Sequence, residues 1–502
     1  MRRSNRPSMG ANVVAAWVGV AGVTLAQPER PPPVTVEAPA ERTARATRAD
    51  LARAYLRLER ALSSHAPGPD EIPAINRRFD QASVAFFSGQ YGSAIKTLGE
   101  MTASLLGEPD DAPTRAARSL AVRVTAVVDG GTSARVRSMH ALGEPYSGPL
   151  ELRLIGPDGP PPRSVRFTVE TKGSTPIDAQ VPLKELLEGR SPGTYTLSVA
   201  VPGGTSFEAA RVSLMPPTAP RRASLESRLA AVPEGDAVAA RAREIARARV
   251  GLLTDEPSPT NSAQFLADMH ALADDLEREI AAVERGENPY ARLAGDHWRV
   301  IPVAGAMVPC RVFAPASALA GNARPPLVVA FHGAGGDESM FFEGYGGGKI
   351  KDLADRHGFV CAAPLTYSGS SPAAFDALID HMAEDFGIDR GRAYVLGHSM
   401  GAGAVTSLVS RRHGSIAGAA CLAGGGAVRG PIPPMMVVLA ELDPIVPPAR
   451  VRRSFEEAAR ADLPVTIVEA EGWGHTLVVG EYLPRVVDFL LGHRLTPLEG
   501  GE

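Results

Sequence analysis

The chain has 502 residues, with 52 Lys and Arg against 56 Asp and Glu, and 44% of its residues are hydrophobic. That length allows several cores, while the near balance of charge, with arginines spread through helical runs rather than gathered among aromatics, argues against nucleic acid as a partner. Three cysteines, Cys310, Cys361 and Cys421, leave room for one pair but not for a disulfide framework, and the 11 histidines show no paired ligand spacing, so no metal is expected.

Residues 1–26 read as a signal peptide: Arg2, Arg3 and Arg6 precede the apolar run Val13 to Leu25, and Thr24-Leu25-Ala26 offers small residues for cleavage before Gln27. The run is short for a membrane span, and no cysteine follows it for lipid attachment. An exported protein without stable membrane insertion is therefore expected, with an uncleaved anchor as the alternative. Residues 27–43 form a Pro-rich linker, and 44–110 read as a helical region, with Ala44 to Leu62 and Ile75 to Leu106 amphipathic. Leu51, Tyr55, Leu58 and Leu62 lie on one stripe of the first helix.

Over 116–216 the pattern changes to short alternating strands between Gly and Pro turns, as in Leu150 to Leu154 and Tyr195 to Val199, which predicts a small all-β, sandwich-like domain. Its few aromatics, Tyr146, Phe167, Tyr195 and Phe207, form no carbohydrate platform, so it reads as a spacer or as a contact for another protein or surface. Helical pattern returns over 221–287, broken around Pro257-Ser258-Pro259.

Residues 290–496 alternate apolar strands with helices, predicting a doubly wound α/β sheet. Within it Gly397-His398-Ser399-Met400-Gly401 follows the strand Ala393 to Leu396 and opens a helix. A serine at the apex of such a turn needs close backbone approach, and glycines two positions to either side remove the obstructing Cβ atoms. Ser399 is thus a candidate nucleophile, which requires a base to take its proton and a third group to orient that base. Met435 to Ala440 is a buried-strand pattern leading to Glu441-Leu442-Asp443-Pro444, and Val465 to Ala470 is another, leading to Gly472-Trp473-Gly474-His475. Asp443 is the candidate acid, with Glu441 its competitor, and His475 the candidate base. The strand Pro326 to Phe331 runs into His332-Gly333-Ala334-Gly335-Gly336, a turn that exposes backbone N–H groups for an oxyanion. Ala334 is the first candidate donor there, with Gly333 or Gly335 as alternatives, and Met400 is the second donor. His332 reads as structural, since the base is already assigned.

The order Ser399, Asp443, His475, the elbow Gly397 to Gly401, His332-Gly333 and Gly474-His475 make this region resemble an α/β-hydrolase, most similar to secreted feruloyl esterase and poly(3-hydroxybutyrate) depolymerase-type esterases. The resemblance implies ester hydrolysis through an acyl-enzyme on Ser399, without a cofactor, on polysaccharide-linked or polyester substrates. Only about a dozen residues separate the strand ending at Leu422 from that starting at Met435, where lids of this superfamily are often inserted, so an uncovered site that admits a large polymer is expected. Trp473 is a candidate substrate-stacking residue, or else a buried aromatic. A prolyl-oligopeptidase-like serine peptidase and a non-catalytic binding protein on a hydrolase fold are the alternatives.

Overall fold

The computed structural model describes residues 46–156, 162–171, 176–233, 235 and 237–495. The expected signal peptide and the whole of the Pro-rich linker lie outside the described residues. No helix among those described is long and apolar enough to cross a membrane.

Three helices come first: α1 (Arg48–Ser64), α2 (Ile72–Phe87) and α3 (Tyr91–Leu106). Thr47 begins α1 with a capping box, its hydroxyl accepting from the Asp50 N–H while the Asp50 side chain takes the Thr47 N–H. The run from Ile75 to Leu106, read as continuous from its periodicity, is broken after Phe87, where Gly89 takes φ 74° and turns the chain back. Apolar stripes of all three helices meet around Leu58, Phe79, Ala94, Leu98 and Met101.

Residues 120–214 form two small sheets. One joins Leu120–Arg123, Ser133–Ser138 and Asp178–Pro182; the other joins Val127–Val128, Ser206–Leu214, Gly193–Ala200, Ser147–Ile155 and Arg163–Glu170. Val122, Val136 and Val181 from the first share a core with Leu152, Leu197 and Val212 from the second. Three more helices follow, α4 (Thr218–Ala231), α5 (Ala237–Val250) and α6 (Met269–Glu284), packed around Leu225, Ile245, Leu276 and Tyr290.

The rest of the described chain is built on an eight-stranded sheet of β1 (Gly295–Val303), β2 (Ala306–Ala314), β3 (Leu327–Phe331), β4 (Val360–Pro364), β5 (Ala393–His398), β6 (Gly418–Leu422), β7 (Met435–Ala440) and β8 (Val465–Ala470), in the order β8-β7-β6-β5-β3-β4-β2-β1. Strands β3 to β8 pair in parallel, and β2 runs antiparallel to both of its neighbours. The parallel strands in the middle are buried along their whole length because helices cover both faces. One face packs against Pro372–Phe386, Met400–Arg412 and Pro448–Arg460, the other against Lys349–His357 and Val478–Leu491. β3 and β5 lie side by side although β4 separates them in sequence. The loops after them therefore open at a switch in winding direction, where open α/β sheets gather ligands.

The short connection between β6 and β7 carries no helix. The site is nevertheless covered, contrary to the expectation of an open one. The cover comes from the other end of the chain: α1 packs along 340–347, and the α1–α3 cluster incorporates Leu477 and the edge of Trp473. No signal local to β6 and β7 could report a cover supplied by helices several hundred residues earlier.

Candidate active site

Ser399 sits at the end of β5 with φ 53° and ψ −115°, a strained conformation for a residue with a side chain. A Cβ on Gly397 would run into the Gly401 backbone, and one on Gly401 into the Phe331 carbonyl of β3. These two contacts are why the turn needs glycine at both positions. The helix Met400–Arg412 starts immediately after the serine, so its first N–H groups face the site.

Asp443 and His475 lie in the loops after β7 and β8 and converge on the serine. His475 Nε2 is 3.0 Å from Ser399 Oγ, and His475 Nδ1 is 2.7 Å from Asp443 Oδ2. The remaining carboxylate oxygen, Oδ1, accepts from the Ile445 and Val446 N–H groups, each at 2.8 Å, which fixes the carboxylate plane. Both side chains are buried. Glu441, the competitor, faces elsewhere: its carboxylate is exposed and accepts from the Gly472 N–H.

The loop after β3 separates its three candidate oxyanion donors. Gly333 N–H is given to the Tyr345 hydroxyl at 3.3 Å, and Gly335 N–H to the Tyr367 hydroxyl at 2.8 Å. Ala334 N–H has no acceptor among the described residues, and neither has Met400 N–H at the start of its helix. Of the candidates, these two amides are thus the pair still able to donate. His332 is buried, holds the Gly333 carbonyl through Nδ1 and accepts the Thr366 N–H at Nε2. Burial lowers its pKa to about 4, so it is neutral near pH 7, with the proton on Nδ1.

Trp473 stands outside the cavity beside Ser399. Half-buried, it packs between the sheet's outer helices and the α1–α3 cluster, and its main chain bonds Ala470 and Leu442. The stacking role expected of it is corrected accordingly: the loop around it closes against the N-terminal helices, and the aromatics that line the cavity include Tyr55, Phe79, Phe86, Phe265 and Tyr345.

Four side chains to which the sequence assigned no role hold the candidate base His475. His398, inside the elbow, has Nε2 2.8 Å from the His475 carbonyl, and its Nδ1 accepts from the Tyr345 hydroxyl at 2.8 Å. Burial keeps this ring well below the ordinary histidine pKa, and the His475 charge adds to that, so it remains a neutral strut. From the other side α2 contributes Asn76, whose Oδ1 accepts from Gly474 N–H at 2.8 Å, and Asp80, whose carboxylate accepts from His475 N–H at 3.2 Å. His398 stood in plain view as the second residue of Gly-x-Ser-x-Gly; Asn76 and Asp80 carried no local signal.

Burial pushes the Asp80 carboxyl up from 3.8 to about 7, helped by the nearby Asp443 and opposed by the His475 N–H. The folded chain therefore keeps a proton that the unfolded chain releases above about pH 4. Stability from this group is complete below that value and is lost as pH rises to about 7. Asp80→Asn, which retains an oxygen for the His475 N–H, is expected to flatten the fall in thermal midpoint between pH 4 and 7, leaving the share of Glu59, which burial also raises to about 7. An unchanged slope would place the proton on another group.

The strand order, the elbow after β5 and the loop positions of acid and base are together those of an α/β-hydrolase sheet. No protein-family profile and no curated protein matches the chain. Solved structures similar to it include the S-formylglutathione hydrolase of Agrobacterium tumefaciens, 14% identical over 41% of this chain and 97% of that one, at a TM-score of 0.35. A ferulic acid esterase is 13% identical over 39% of this chain and 97% of its own, at a TM-score of 0.34. The esterase Est2 of Thermogutta terrifontis is 17% identical over 41% of this chain and 95% of its own, at a TM-score of 0.34.

Proposed function

We propose that the protein is an exported serine hydrolase that cleaves carboxylic esters through an acyl-enzyme. The observation that carries this reading is the unbroken contact chain from Asp443 Oδ2 through His475 to Ser399 Oγ, with spans of 2.7 and 3.0 Å. In this mechanism Ser399 Oγ attacks the ester carbonyl while His475 Nε2 takes its proton. Ala334 and Met400 N–H groups donate to the oxyanion. Collapse of the tetrahedral species breaks the bond to the alcohol, which leaves with the proton from His475, and a water activated by the same Nε2 then releases the acid. Asp443 keeps the Nδ1 proton in place and faces the imidazolium that forms at each step.

Export rests on the arginines and apolar run before Gln27. In this reading residues 116–216 are a sandwich-like spacer that meets another protein or a surface. A fluorophosphonate probe tests the chemistry directly. The native protein is expected to label at Ser399 and the Ser399→Ala variant to stay unlabelled; an unlabelled native protein would leave a binding protein on a hydrolase fold. Among labelled outcomes, turnover of proline-containing peptides in preference to acetyl, feruloyl and hydroxyalkanoate esters would make it a peptidase.

A further inference from the structure

A cavity of about 170 Å³ opens directly beside Ser399 and His475, and most of its wall does not belong to the catalytic sheet. Leu51 and Tyr55 come from α1, Phe79 and Phe86 from α2, Phe265 from the turn before α6, and Met340 from the segment after β3. Most polar side chains near this wall are already engaged, the Ser339 and Thr476 hydroxyls being those that meet no partner among the described residues. Asp337 takes both Arg48 and Ser262, Tyr55 gives its hydroxyl proton to Glu59 at 2.6 Å, and Ser83 gives its own to the Phe79 carbonyl. A sugar or peptide arm placed here would leave most of its own polar groups unpaired against hydrocarbon, at a cost that an apolar arm avoids.

The end wall is held firmly. The Phe86 ring lies so close to Gly335 of the oxyanion loop that a Cβ there would strike it, and it stacks on Tyr91 at 5.8 Å with 16° between the planes. Phe79 is set by Tyr55, with ring centroids 5.8 Å apart. A hydrocarbon-lined space of about 150 Å³ accepts one benzene ring, so this one takes an arm of about six carbons.

Resting on the serine-hydrolase reading above, we propose that the N-terminal helices α1–α3 are the specificity wall of the active site, selecting esters whose larger arm, acyl or alcohol, is compact, apolar and no bigger than about a phenyl ring. The helical region is then part of the binding site, and its residues decide which ester is cleaved.

The test uses the full chain and two substrate series followed by pH-stat: methyl esters of acids from two to ten carbons, and acetates of alcohols over the same range. In one of the series kcat/KM is expected to peak at or below about six carbons and to fall at least about tenfold by ten. Phe86→Ala is expected to raise the ten-carbon to four-carbon ratio in that series by about tenfold or more, with Phe86→Leu as the milder variant should the first fail to fold. Flat or steadily rising profiles in both series would overturn the assignment, as would a peak that neither Phe86 variant moves. Fluorophosphonate labelling separates the two failures: labelled protein with a flat profile loses the specificity wall alone, whereas unlabelled protein loses the hydrolase reading and the wall with it.

Discussion

Ser399→Ala is expected to lower kcat on any ester the protein hydrolyses by about 10⁶, equivalent to about 8 kcal/mol of barrier. The size follows from what a methyl group cannot do. It offers no lone pair to the carbonyl, and His475 Nε2, 3.0 Å from the missing oxygen, has no proton to take. What survives is the electrostatic help of the Ala334 and Met400 amides to direct attack by water. Because nucleophile and base act as one unit, Ser399→Ala/His475→Ala should be hardly slower than Ser399→Ala alone. Initial rates on purified variants check both statements, and a single variant retaining more than a hundredth of native turnover would assign the nucleophile elsewhere.

Asp443→Asn should cost about 10⁴ in kcat, and the reason is the direction of two hydrogen bonds. Oδ1 accepts from Ile445 and Val446 N–H, while Oδ2 faces His475 Nδ1. In the variant the single amide oxygen is held by the two backbone donors, so the NH₂ group is turned toward Nδ1. The imidazole must then accept at Nδ1 and carry its proton on Nε2, where it can no longer take one from Ser399. Glu441→Gln is the matched control: Glu441 only accepts from Gly472 N–H, a bond that glutamine can keep, and a change within about threefold is expected. If instead Glu441→Gln fell by orders of magnitude while Asp443→Asn stayed active, the acid role would pass to Glu441.

The parts of the site that the sequence made legible are those held by short-range geometry. An elbow flanked by glycines and a carboxylate or histidine just past an apolar strand are constraints that span a few residues. They locate Ser399, Asp443 and His475 without knowledge of tertiary contacts. Sequence ranked Ala334 ahead of Gly333 and Gly335 but could not exclude those two, because that depends on where two tyrosine hydroxyls, Tyr345 and Tyr367, come to rest. The cover was hidden more deeply. The amphipathic stripe containing Leu51 and Tyr55 announced that α1 would pack against something, but amphipathicity names no partner. Trp473 misled for the same reason: an aromatic two residues from the candidate base serves equally as a substrate platform or as the seat of another element, and the α1–α3 cluster takes that seat.

The bond from Gly474 N–H to Asn76 joins residues 398 positions apart. At about 5–20 residues per second, a ribosome delivers α2 roughly 20–80 s before the loop it will clasp. For that interval α2 has only α1 and α3 to pack against, and His475 does not yet exist. Closure of this loop on α2 therefore waits for the strands that precede it, and it is this closure that brings cover, base and nucleophile into one place. Until the strand and helix around His475 have been made, the growing chain has neither that histidine nor the loop that Asn76 and Asp80 hold.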